Sequence, residues 1–189
     1  MKKFELTAEF VTTVFGKKLF RIKALVAFGN VEKGELGGFI EKEDNLSHDG
    51  NAWVSGDAWV YGNAQVYGDA WVSGNAWVYG NAQVSGNAWV YGNAQVSGNA
   101  RVSGNAWVSG NADYAVVTGF GRFFRTTTFF RCKDKILRVQ CGCFYGDLAQ
   151  FREIVKKTHG NSKYAKEYLA IADLMELHFS DEEENQEAD

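Results

Sequence analysis

The residues best suited to chemistry lie between positions 122 and 143. Arg122, Arg125, Arg131, Lys133, Lys135 and Arg138 crowd around Thr126-Thr127-Thr128. Guanidinium groups beside hydroxyls and backbone amides suit a phosphate or carboxylate, because a planar fork meets two anion oxygens at once. Arg122, Arg125, Thr126, Thr127, Thr128, Arg131, Lys133 and Arg138 are therefore candidate anion ligands, with a solvated charged hairpin as the plain alternative. Cys132, Cys141 and Cys143 fall in the same stretch, and a strand through 136–144 puts the last two sulfurs on one side. With His159 they would make a Cys3His zinc set. The spacing matches no standard zinc motif, and buried free thiols explain the same residues. Outside this stretch the titratable imidazoles are His48, His159 and His178.

Charge is distributed by segment. Residues 1–50 balance eight basic against eight acidic side chains, and residues 51–112 carry only Asp57, Asp69 and Arg101. Residues 113–160 hold nine basic against four acidic, and residues 161–189 two basic against nine acidic. The pattern predicts a neutral centre, a basic segment and an acidic, disordered tail over 180–189. Three cysteines and no recognisable signal peptide argue against a secreted disulfide framework, so a bacterial-type cytoplasm is expected. No apolar run is long enough to span a membrane. The neutral centre and acidic balance disfavour nucleic acid as partner.

The elements that must position these residues are set by a repeat. From Asn51 to Gly110 the chain runs through ten uninterrupted hexads. Position one is Asn or Asp, two is Ala, four is Val and six is Gly; three and five vary. Ala and Val alternate with position three, so they point to one side and it points to the other. The Gly-Asn or Gly-Asp pair tolerates positive φ and turns a corner. Six residues make one flat side, three sides close an 18-residue coil, and coils stack at roughly 4.8 Å. Residues 18 apart then share a face. Trp53, Trp71, Trp89 and Trp107 form one outward column, Trp59, Trp77 and Gln95 a second, and Gln65, Gln83 and Arg101 a third. A four-tryptophan stripe is either an aromatic ladder or an interface, for a second copy or for the C-terminal helices.

The V-x-G-N-A-x rhythm, visible from Val54 onward, resembles the hexapeptide-repeat family. That resemblance implies a left-handed parallel β-helix. The lead-in over Ile22–Ser47, with F-G-N-V-E-K-G-E-L-G-G-F-I, is similar to that of phage- and prophage-borne hexapeptide proteins, often described as transferases or polymer-forming proteins. The expected architecture is mostly β. An N-terminal β cap covers 1–50, with a hairpin around Gly16-Lys17-Lys18, and the β-helix covers 51–112. A C-terminal α/β module over 113–179 has a strand pair around Lys133-Asp134-Lys135 and two helices. Asp147 caps the first helix and the second runs from about Ser162 to Phe179.

Family acyltransferases place a histidine on a coil or in an extruded loop, and the hexads here contain neither histidine nor insertion. The favoured expectation is a non-catalytic, cofactor-free phage-type binding or scaffold protein. It would self-associate and sequester a host protein or a small anionic ligand, as a host-takeover or anti-defence factor would. An acyltransferase and a self-assembling rod are the alternatives.

Overall fold

In a computed structural model, which describes residues 1–180, the chain is mostly β. A parallel β-solenoid carries an antiparallel extension at one end and a small sheet with two helices at the other. The expected acidic tail lies, from position 181, outside the described residues. No described helix is long and apolar enough to cross a membrane.

The solenoid consists of ten two-residue strands, β4 to β13, at the third and fourth positions of each hexad, from Trp53–Val54 to Trp107–Val108. They form three parallel faces with an 18-residue register, as in Trp53↔Trp71, Trp59↔Trp77 and Gln65↔Gln83. Every hexad Val and Ala is buried, so the core is a stack of one large and one small side chain per side. The corner glycines from Gly62 to Gly92 are each required twice over. Gly86 sits at φ 66°, and a β-carbon there would lie 2.9 Å from the backbone nitrogen of Gly104 one coil later. The asparagine beside it bonds its counterpart in the next coil, as Asn63 Nδ2 does with Asn81 Oδ1 at 3.2 Å.

Each coil donates its N–H groups to the next, as Trp53 N does to Ala70 O at 3.0 Å. The first coil therefore presents carbonyls and the last presents N–H groups, and each end needs the complementary partner. At the first, β1 (Phe4–Thr12), β2 (Lys18–Ala24) and β3 (Leu36–Ile40) extend one face. β1–β2 and β2–β3 are antiparallel, and β3 runs parallel to Trp59–Val60. Backbone donors from Phe39, Glu41 and Ser47 meet the carbonyls of Ala58, Val60 and Val66. Side-chain donors supply the rest. Asn45 Nδ2 reaches Gly62 O and Ala64 O, and the Lys3 amine reaches Ala52 O at 2.8 Å and Gly50 O at 3.3 Å.

The last coil is closed by acceptors. Asn111 Oδ1 takes the Gln95 N–H, Thr128 Oγ1 that of Arg101 and Asp113 Oδ2 that of Ser109. Behind them stands an antiparallel sheet of β14 (Tyr114–Phe120), β15 (Arg125–Arg131), β16 (Leu137–Cys141) and β17 (Phe144–Asp147), in that order. It has four strands where the sequence suggested two. Phe130 and Cys132 pack into the rod core, while Phe129 and Val139 pack against the helices. The sheet is thus a plug between rod and helices. Asp147 and Gln150 form a reciprocal capping box on α1 (Leu148–His159), with Gly160 at its end, and Ser162 caps α2 (Lys163–Phe179). The helices lie on the plug's far side, packed on Phe129 and Val139, so of the alternatives for the tryptophan stripe, docking of these helices does not occur.

Candidate anion-binding groove

Strand β15 decides which basic-segment residues can meet a ligand, because its side chains alternate between the plug's two faces. Thr128 and Phe130 face the rod and Thr127 and Phe129 face the helices. The Thr128 hydroxyl is occupied by the Arg101 N–H, and the Thr127 hydroxyl donates to Cys141 Sγ at 3.2 Å. Both threonines are buried, and both hydroxyls are engaged within the fold. Thr126, half-buried at the strand's start with its hydroxyl 3.4 Å from that of Thr118, is the threonine of the three that borders open space.

That space is a groove of about 470 Å³ between the plug and the rod's third face. Arg125 and Thr126 line it from the plug, and Arg101, Gln83, Asn81 and Asn99 line it from the rod. Arg101 is fixed at its backbone by Thr128, and Asn81 bonds Asn99 at 3.1 Å. Two guanidinium groups and three carboxamides thus face one opening with no carboxylate in its lining. The sequence placed Arg101 at the end of the Gln65–Gln83 column without giving it a role. The available signal was that it is the single basic residue in the ten hexads.

The other basic candidates disperse. Arg131 donates to Phe179 O at 3.0 Å and lies 3.8 Å from Asp113, so it ties α2 to the plug. Arg138 pairs with Asp134 at 2.8 Å. Lys133 sits 5.5 Å over the Trp107 ring and lines, with Lys135 and Arg131, a separate depression beside the rod's end. Arg122 and Arg125 flank Phe123 at the mouth of a slot on the helix side. The eight candidates do not form one site. The plug distributes over several openings charges that are neighbours along the chain.

A family model described as YdcK Beta solenoid repeat matches residues 64–81, 82–94 and 94–110. This part of the rod is a β-solenoid repeat. A comparison with curated proteins finds no match.

On the solenoid repeat the aromatic columns stack along the axis. Trp59 and Trp77 lie 4.9 Å apart at 1°, Tyr61 and Tyr79 5.2 Å apart at 4°, and Trp89 and Trp107 5.1 Å apart at 26°. Their ring faces are engaged with each other. Trp53 departs from the expected exposed stripe. It is fully buried, with Phe28 edge-on at 5.4 Å and Gly37 close enough that a β-carbon would lie 2.7 Å from its ring. Position three points away from the coil at Trp53 as elsewhere, but the N-terminal cap folds over it. Trp71 donates to Ser55 Oγ at 3.0 Å, and Trp89 remains exposed.

The zinc set is not assembled. Among the described residues no group of three His, Cys, Asp or Glu is placed to hold a metal ion. Cys132 lies on the rod side of the plug, and burial pushes its thiol up to about 11. Cys141 and Cys143 are not alternate residues of one strand. Gly142 at φ 61° makes a two-residue turn between β16 and β17, with Cys143 in the turn. His159 lies near Tyr168 and Tyr164 on the helix side. At the other end, burial lowers the Lys3 amine to about 8 against the opposing pull of Asp49 and Asp69.

Proposed function

We propose that this protein is a binding scaffold without catalysis of its own, and that the groove between rod and plug takes a small, hydroxyl-rich anion. The carrying observation is the convergence of Arg101 with Arg125 across an opening otherwise walled by Asn81, Gln83, Asn99 and Thr126. Paired guanidinium groups supply charge-assisted donors to an anionic group, and carboxamides both donate to and accept from hydroxyls. The lining offers no imidazole, thiol or carboxylate to serve as general base. Both rod ends are occupied by other parts of the chain, which favours a discrete scaffold over a rod that grows end to end.

The finer reading is a left-handed hexapeptide-type protein of phage origin, working in a bacterial cytoplasm and sequestering a host protein or small anionic signal. It rests on the lead-in over 22–47 and on this groove. Titration calorimetry with glucose 6-phosphate against glucose tests the ligand class. Binding of the phosphorylated sugar alone, weakened about tenfold or more by Arg101→Gln, is expected, since a hydrogen bond to a charged group contributes about 1.5–3 kcal/mol. Equal heats for the two sugars, or an unaffected Arg101→Gln variant, would overturn the groove assignment.

A further inference from the structure

On the helix side of the plug lies a second opening, a slot of about 210 Å³. Its body is apolar, formed by Phe144, Phe151 and Tyr168, which belong to the small core beneath the helices. Its mouth is cationic. Arg122 and Arg125 both line it, with their guanidinium carbons 5.5 and 5.1 Å from the Phe123 ring between them. Among the described residues neither arginine has a carboxylate partner within ion-pair distance, and no carboxylate lines the slot. The nearby Glu167 is engaged by the Gly121 N–H at 2.9 Å and by Lys163 at 3.5 Å. The turn that carries Arg122 and leads into Arg125 holds Phe124 at φ 51°, a left-handed backbone that a residue with a β-carbon adopts only when its surroundings impose it.

We infer that this slot is a binding site for a small aromatic carboxylate. A dry cavity of about 150 Å³ accepts benzene, and drug-sized ligands need about 300 Å³ or more. A volume of about 210 Å³ therefore suits one ring with a short arm. Aromatic walls take the ring edge-on or offset, and a carboxylate at the mouth meets the unpaired guanidinium forks. The pairing matters because apolar burial alone does not distinguish an acid from its alcohol, whereas two arginines do. This inference does not rest on the groove. Because Arg125 borders both openings, the test uses residues that border the slot alone.

Cys143 lines the slot and is exposed, so its alkylation by iodoacetamide in the full chain reports occupancy. 3-Phenylpropionate at millimolar concentration is expected to slow Cys143 alkylation several-fold, read by mass spectrometry, while 3-phenylpropanol at the same concentration leaves the rate unchanged. Ile154→Trp, placed to fill the slot from α1, should abolish the protection, and Arg122→Gln should weaken binding about tenfold and so remove most of the protection at the same concentration. Arg101→Gln, which touches only the groove, should leave it intact. Absence of protection in the wild type, equal protection by the alcohol, or undiminished protection in both Ile154→Trp and Arg122→Gln would overturn the site. Should Ile154→Trp fail to fold, Arg122→Gln, whose side chain lies at the mouth, decides alone.

Discussion

The two ends of the rod solve opposite problems. The first coil offers carbonyl oxygens, and the chain answers with donors: three backbone amides, the Asn45 carboxamide and the Lys3 amine. The last coil offers N–H groups, and the chain answers with the oxygens of Asn111, Thr128 and Asp113. Lysine can only donate and carboxylate can only accept, so neither could exchange places. The consequence for function is geometric. A face extended by parallel pairing continues the rod's surface, as β3 does beside Trp59–Val60. A plug sheet tied mainly by side chains stands as a separate layer, and the spaces around it include the Arg101–Arg125 groove and the apolar slot.

The largest expected effect removes both ends at once. Val78 is fully buried midway along the rod, and Val78→Asp places an unpaired carboxylate in an apolar stack at a cost of several kcal/mol. Loss of β-type circular dichroism together with general protease sensitivity is expected. A soluble variant that melts where the wild type does would contradict the shared core on which both caps depend.

A smaller effect separates the ends by pH. Lys3 releases its proton near pH 8 when folded and near 10.5 when unfolded. Between those values the unfolded chain holds the extra proton, so stability rises with pH through that window and falls as pH drops back through about 8. The contribution is of the order of 3 kcal/mol at most, at about 1.4 kcal/mol per pKa unit. The difference between the denaturant midpoints of wild type and Lys3→Met should grow in the wild type's favour from pH 7 to 9.5. Staying below pH 10 limits the fall from Tyr61 and Tyr114, whose pKa values burial raises, and the fall from Cys132, whose thiol burial raises to about 11, is common to both proteins and cancels in the difference. Parallel curves for the two proteins would mean that the amine is not the donor closing the first coil.

What the sequence disclosed follows the same division. The hexads were readable because each position does one local thing: it turns a corner, fills the inside with a small or large side chain, or points outward. The helix caps at Asp147 and Ser162 were readable for the same local reason. Trp53 was misjudged because outward is a local property and exposure is not; its cover comes from Phe28 and Gly37, on the cap. Thr127 and Thr128 look alike in the sequence, and only the sheet reveals that strand alternation sends one hydroxyl to the helices and the other to the rod. The Cys141–Cys143 stretch was read as strand because a glycine inside an apolar run carries no mark of the positive φ it adopts at position 142. Arg101 needed the fold, since Arg125 faces it only across the groove between plug and rod.

The smallest effect on stability concerns the surface between the ends. With Trp53 buried under the cap, the first column contracts to Trp71, Trp89 and Trp107, and Trp89 is 45% exposed at its centre. Trp107 is hemmed in by the Tyr91 hydroxyl and by Lys133, so Trp89 is the ring best placed to meet a second copy. Aromatic side chains at the centre of a patch dominate contact energies, and two-fold self-pairing is the commonest symmetry. Trp89→Ser leaves the inward Ala88 and Val90 in place and removes one stacked pair, which amounts to about 0.5–1.5 kcal/mol. The melting temperature should therefore move little while sedimentation at tens of micromolar shifts toward monomer. If wild type and Trp89→Ser both sediment as monomers, the column's role ends with stacking its own coils, and any partner must be sought at the plugged end.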